Sequence, residues 1–253
     1  MILTSKNNPL IKETASLKEK KGRKQTSLFL VEGVKMVKEC MRSNLQIERI
    51  FLAESYNGDV AFLTGYEEIT VRVSDDVFRY ISDEQTPQGV LCRVQIPFYE
   101  LAKPTQSSLF LDGVADPGNM GAIIRTANAA GYNEIYLTRE CADAYAPKSV
   151  RASMSGIFFT KLYVAERDEI LSTFQGLPLL VADMGGANVF TYQTPAVPFV
   201  LAIGNEANGI SDATFQAATA TVKIPMSKQQ ESLNAAVSAG ILMYLLKKNQ
   251  FTE

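Results

Sequence analysis

Short, almost unbroken apolar runs alternate along the chain with segments whose apolar residues recur every three or four positions. The first pattern predicts buried strands and the second amphipathic helices. Leu10, Ile11, Ala15 and Leu17 form an apolar stripe among lysines and predict a helix over 4–20, followed by a basic, glycine-containing loop at Lys20–Ser27. Leu28–Val31, Ile47–Leu52, Thr70–Val73 and Gln88–Val94 read as strands, with helices from Glu32-Gly33 through Cys40 and over Asp75–Ile81. Ile96–Pro104 carries two prolines and breaks the alternation, so a linker is expected there. Beyond it the runs at Leu109–Leu111, Glu134–Thr138, Phe158–Val164, Leu177–Asp183, Pro198–Ile203 and Val222–Pro225 read as strands. Helices are predicted between them: one bearing Met120, Ile123, Ile124, Ala127 and Ala130 with Gly131 as its stop, others at Lys148–Ser155 and Glu166–Phe174, and a last one from Ser232. The pattern predicts an α/β protein: a small N-terminal α/β domain at 1–97, a linker at 98–105, and a domain at 106–253 built on a mostly parallel sheet covered on both faces.

Within that scheme the stretch Leu111–Gly131 organises the second domain. The apolar run Leu109-Phe-Leu stops at a turn of Asp116, Pro117 and Gly118, Asn119 sits where a helix N-cap belongs, and Arg125 lies off the apolar face of the helix that follows. A strand, a turn and a helix opening this way make a corner suited to anions. In parallel sheets ligands gather beyond the carboxyl ends of the strands. Three loops there are rich in Gly, Asn, Glu and Ser: Asp116–Arg125, Gly204–Gly209 and Pro225–Asn234. Each has a plain reading of its own: Asn119 as a cap, Arg125 as a surface cation, Gly204–Gly209 as a decorated turn, Asn234 as a helix opener.

Composition narrows the chemistry. The 253 residues contain no histidine, which removes Ser-His-Asp and Cys-His catalysis and His-ligated zinc. No Cys-x-x-Cys pair is present, so no metal site is expected, and Cys40, Cys92 and Cys141, odd in number and far apart, suggest a reducing cytoplasm. No apolar run approaches the ~20 residues that span a bilayer, and the N-terminus lacks the basic-then-apolar pattern of a signal peptide. Net charge is only −2, yet residues 1–24 carry +5 and the remainder −7. A basic arm on an acidic body fits an RNA-facing segment, and equally a solvated helix and loop. Neither Gly-x-Gly-x-x-Gly nor a Gly-Lys-Ser/Thr phosphate loop occurs, which disfavours a nicotinamide-dependent oxidoreductase.

Asp-Pro-Gly-Asn-Met-Gly-Ala-Ile-Ile-Arg-Thr-Ala (116–127), Ile-Gly-Asn-Glu-Ala-Asn-Gly-Ile-Ser (203–211) and Ile-Pro-Met-Ser-Lys-Gln-Gln-Glu-Ser-Leu-Asn (224–234) together closely resemble the three signature motifs of the SpoU (TrmH-like) RNA ribose 2′-O-methyltransferases, members of the SPOUT superfamily. The resemblance spans roughly residues 107–247. The first domain more loosely resembles the family's ribosomal-protein-like RNA-binding domain through Ser5–Pro9, Lys20–Lys24 and Phe29–Gly33.

The resemblance implies methyl transfer from S-adenosylmethionine to a ribose hydroxyl in ribosomal or transfer RNA, with the appended N-terminal domain favouring ribosomal, by a homodimer with a C-terminal trefoil knot. A non-catalytic RNA-binding protein on the same scaffold is the alternative. The implied catalytic set is Asn119, Arg125, Glu206, Ser232 and Asn234, with Arg125 as an unusual base or as an orienting cation. Ile203, Gly204, Asn205, Ile224, Met226, Ser232 and Leu233 would hold the cofactor, and Lys20, Lys21, Arg23, Lys24 and Arg125 the RNA. Asp183 would enter the cofactor pocket or cap its strand. Lys148, Arg151 and Ser153 would face RNA or be ordinary surface.

Overall fold

Two separate apolar cores organise the computed structural model, which describes residues 2–227, 229 and 232–251. They divide the chain into one unit of Met1–Phe98 with Asp143–Phe158, and a second of Tyr99–Ala142 with Phe159–Glu253.

The first unit runs β1 (Ile2–Leu3), α1 (Pro9–Ser16), α2 (Lys20–Thr26), β2 (Leu28–Glu32), α3 (Val34–Met41), β3 (Ile47–Ala53), β4 (Thr70–Val73), α4 (Asp75–Ile81) and β5 (Val90–Gln95). Its sheet is mixed, in the order β1-β4-β3-β5-β2, with β5 antiparallel to both neighbours. Ile11, Leu17, Phe51, Val77, Phe78 and Leu91 fill the core between the helices and one sheet face. α1 is shorter than expected, because Leu17 caps it and a second helix then starts at Lys20. The basic stretch is therefore α2 and not a loop. Ser74 accepts a hydrogen bond from Val77 N and so opens α4 where the sequence pattern put it.

Residues 96–107 carry no helix or strand. The second unit then begins with β6 (Ser108–Asp112), α5 (Pro117–Ala129) and β7 (Glu134–Thr138). Asp143–Phe158, which the sequence pattern assigned to the second domain, clusters with the first unit instead. It contains α6 (Pro147–Ser153), and its Tyr145 ring lies 4.9 Å from that of Phe29. The chain continues as β8 (Lys161–Ala165), α7 (Arg167–Thr173), β9 (Leu179–Asn188), β10 (Val200–Gly204), α8 (Asp212–Ala217), β11 (Ala220–Lys223) and α9 (Ala235–Leu246). These strands form a parallel sheet in the order β11-β9-β10-β6-β7-β8. Strand order reverses at β6: the chain goes to β7 and β8 on one side and returns to β9, β10 and β11 on the other. Ligands collect at such a reversal. There Asp112 and Gly204, the last residues of β6 and β10, are register partners, so the loops leaving the two strands emerge side by side.

Candidate active site

α5 begins earlier than its apolar spacing suggested. Asp116 is the N-cap, its Oδ1 accepting from Asn119 N at 2.8 Å, and Pro117 occupies the first turn. Asn119 is therefore not the cap, and its side chain is free to reach outward. The Asp-Pro pair, an N-capping residue followed by proline, is the sequence signal for this start.

Three remote segments meet at Asn119. Its Nδ2 donates to Glu206 Oε1 at 2.9 Å, and its Oδ1 accepts from Asn234 Nδ2 at 2.9 Å. Asn234 is also the N-cap of α9, its Oδ1 accepting from Ala236 N and Val237 N. The direction of this chain is fixed at both ends. A carboxylate only accepts, so Asn119 must turn its amino group to Glu206; the α9 N–H groups only donate, so Asn234 must turn its carbonyl to them. Glu206 further accepts from Ala115 N at 2.9 Å and Asp116 N at 3.2 Å. Partial burial alone would raise its pKa, but these bonds from Asn119, Ala115 and Asp116 outweigh it and hold the carboxyl below the usual range.

The Gly204–Gly209 loop is built to present Glu206. A Cβ on Gly204 would fall 2.3 Å from the carbonyl carbon of Gly209, so only glycine lets the loop fold back this closely. Asn205 pairs its backbone with Gly209, donates Nδ2 to Gly113 O at 2.7 Å, and accepts from Ala207 N and Asn208 N. That side chain is engaged in closing the loop. Beneath the loop, the buried Asp112 carboxylate accepts from Ser211 N and Oγ and from Arg167 Nε. Burial pushes its pKa up, yet the bonds from Ser211 and Arg167 prevail and hold it low. In the sequence Asp112 and Arg167 leave only a faint trace, a carboxylate closing the apolar strand Leu109–Leu111.

A cavity of about 120 Å³ lies next to this corner. It exists because β9 and β11 lose register: Thr221 pairs with Val181 but Val222 pairs with Ala187, so the intervening residues of β9 bulge outward. Asp183 and Met184 on the bulge line one side, and Ile224, Met226, Ser232, Leu233 and Leu242 line the other. Asp183 lies within β9 and so does not cap the end of its strand; it lines the cavity, and its Oδ1 accepts from Gly185 N at 2.7 Å. Four of the expected cofactor residues, Ile224, Met226, Ser232 and Leu233, are thus brought together. Ile203 and Gly204 belong to the neighbouring strand end and do not line this cavity.

Arg125 is exposed on α5, and no hydrogen bond or ion pair holds it among the described residues. In the first unit Lys20, Lys21 and Lys24 are exposed on α2, but Arg23 is not. Its guanidinium is buried, bonded to Asp143 Oδ2 at 2.8 and 3.0 Å and to the carbonyls of Leu17 and Lys18. Arg23 is a structural clamp and leaves the RNA-facing set. Arg151 is likewise engaged, with Asp83 and Glu84, and Ser153 is buried.

Residues 106–244 match the SpoU rRNA Methylase family, and residues 8–92 match the MRM3-like substrate binding domain. The chain is 30% identical to the 23S rRNA (guanosine(2553)-2′-O)-methyltransferase RlmP of Bacillus subtilis, over 97% of this chain and 98% of that protein. It is 28% identical to the 23S rRNA (uridine(2479)-2′-O)-methyltransferase of Streptomyces viridochromogenes, over 96% and 90% of the two chains. Its fold is similar to the AdoMet-bound rRNA methyltransferase of Sinorhizobium meliloti, with a TM-score of 0.89 at 26% identity over 100% of this chain and 99% of that one.

Proposed function

This chain belongs to the SpoU rRNA methylase family, and on that premise we propose that it methylates a ribose 2′-hydroxyl of 23S ribosomal RNA with S-adenosylmethionine as methyl donor. The observation that carries the reading is the hydrogen-bonded chain Asn234–Asn119–Glu206, which draws three distant motifs into one corner beside a cavity. The relatives act on a guanosine and a uridine, so the family scaffold does not by itself choose the base.

The lining of the cavity suits part of the cofactor, its adenosine end. Ile224, Met226, Leu233 and Leu242 offer apolar surface for an adenine ring, and Asp183 and Ser232 offer polar partners for hydroxyl groups. Once bound, S-adenosylmethionine supplies a methyl group already activated as a sulfonium. The protein's task is to place the ribose hydroxyl and to ease loss of its proton. Arg125 carries a fixed positive charge, since arginine stays protonated below roughly pH 12. Its role in this reading is to orient an RNA phosphate and stabilise the developing alkoxide. Glu206 keeps Asn119 aligned, Asn234 ties that alignment to the start of α9, and Ser232 stands at the cavity wall.

The same reading includes a homodimer formed through α9. That helix is apolar on all sides, with Ala239, Leu242, Met243 and Leu246 buried but Val237 50% and Tyr244 42% exposed. A helix apolar all round needs a cover on its second face. The trefoil knot implied by the motifs and a cytoplasmic place of work, where ribosomal RNA is found, belong to this reading too. Mapping ribose methylation along 23S rRNA from cells with and without the protein tests it: one site should lose its methyl group, and an unchanged map would reject the reading.

A further inference from the structure

The first unit holds a second, larger cavity of about 340 Å³, between the end of β3, one face of α4 and the turn entering β5. We propose that it receives a single unstacked nucleobase of the RNA substrate, and this rests on the RNA-methylating reading above. The base of the cavity is the buried Phe78, and Tyr56 forms a wall. Tyr56 is held in place: its hydroxyl donates to Asp59 O at 3.1 Å, and its ring packs against Gly89. Gly89 has φ +80°, and a Cβ there would lie 3.3 Å from both Ala53 and Tyr56, so the turn and the wall both depend on that glycine.

The polar groups at the rim are partly uncommitted. Asn57 makes no side-chain hydrogen bond among the described residues. Gln88 uses Oε1 to accept from Val34 N, which leaves its amino group to donate. Asp75 uses Oδ1 for Ser55 N and Oγ, which leaves Oδ2 to accept. Arg79 adds a planar cation at the mouth. A phosphate would meet the Asp75 carboxylate and an aromatic wall, both unfavourable. A neutral heterocycle with donors and acceptors on its edge and a flat face suits every one of these groups, and protein reading of RNA works mainly through such splayed bases. The cavity lies at the lower limit of small-ligand pocket sizes, about 300 Å³, which suits one base better than a longer ligand.

The test uses the full-length protein and ribosomal RNA from cells lacking it. Asn57→Ala and Tyr56→Leu should each weaken RNA binding about 10-fold in a filter assay, the size expected for losing one stacked or edge-bound base. S-adenosylmethionine affinity, measured by calorimetry on the same samples, should stay within twofold, and melting curves that overlay the wild type should report an intact first unit. Ultraviolet crosslinking with 5-iodouridine-substituted RNA should place an adduct on Tyr56. Unchanged RNA affinity in both variants overturns the proposal, as does binding of nucleoside monophosphates at this cavity with no effect of the variants on RNA. If the wild-type protein transfers no methyl group to RNA, it is the broader reading that fails. Transfer by the wild type with unaffected variants rejects the cavity's role alone.

Discussion

Replacing Glu206 by alanine removes the acceptor for Ala115 N, Asp116 N and Asn119 Nδ2 in one step. Hydrogen bonds to a charged group contribute roughly 1.5–3 kcal/mol each when buried. Glu206 is exposed, so solvent screening cuts this to about 0.5–1 kcal/mol apiece, or about 2 kcal/mol for the set. For a protein of this length that corresponds to a fall in Tm of roughly 4–8 °C. The larger effect should be on rate. Without Glu206 the Asn119 amide is free to turn over, and a misplacement on the order of 1 Å costs about 100-fold in a positioned reaction. Glu206→Gln keeps one acceptor but puts an amino group against a backbone N–H, and should fall between the two, about 10-fold down on the same scale. Single-turnover transfer of a tritiated methyl group to ribosomal RNA, with a melting curve on each sample, reads both quantities. The pH dependence gives an independent check. Because the folded-state pKa of Glu206 is depressed, its contribution is complete above the unfolded carboxylate value of about 4.3 and is lost as pH falls through the folded value. Glu206→Gln should flatten that acid limb. Turnover within threefold of wild type in Glu206→Ala would refute the reasoning.

Arg125→Ala should lower methyl transfer at least 100-fold on the scale of a lost charge-stabilising donor, with S-adenosylmethionine affinity unchanged by calorimetry. Asp112→Asn weakens the buried bonds to Arg167 and Ser211 and should destabilise the protein by about 2–3 kcal/mol in urea titration. Lys247 is buried with its amine 2.7 Å from Gly131 O and 3.8 Å from the Tyr132 ring centre, and burial brings its pKa from 10.5 down to about 8. The unfolded chain therefore holds the extra proton between those two values, so stability should rise with pH across that window, and Lys247→Met should abolish the rise. Urea titrations at about pH 7 and about pH 10 compare the two proteins. Val237→Glu combined with Tyr244→Glu should convert a dimer to a monomer by light scattering, because both substitutions charge the uncovered face of α9.

Most of the strands were legible because an apolar run needs no partner to be recognised. Glu134–Thr138 and Thr70–Val73 are strands over the residues read from the pattern, and Asp75–Ile81 is a helix over its predicted span. What local pattern could not supply was the far partner of a side chain. Arg23 reads as one more cation in a basic run until Asp143, 120 positions away, turns out to hold it. Lys20–Ser27 lacks an apolar stripe, so α2 was invisible, and the short α8 was not predicted at all. Asn119, Glu206 and Asn234 were found through their motifs, but not the order of donors and acceptors that fixes them. The β9 bulge that opens the cavity is a register shift between strands, and register leaves no mark in either sequence segment alone.

Purified protein, S-adenosylmethionine carrying a tritiated methyl group and unmodified ribosomal RNA, followed by digestion of the RNA to nucleosides, address the central claim most directly. The account predicts that label enters the RNA and is recovered in a single 2′-O-methylated nucleoside. Label recovered on a base, or none in RNA under conditions where S-adenosylmethionine is bound, would contradict it.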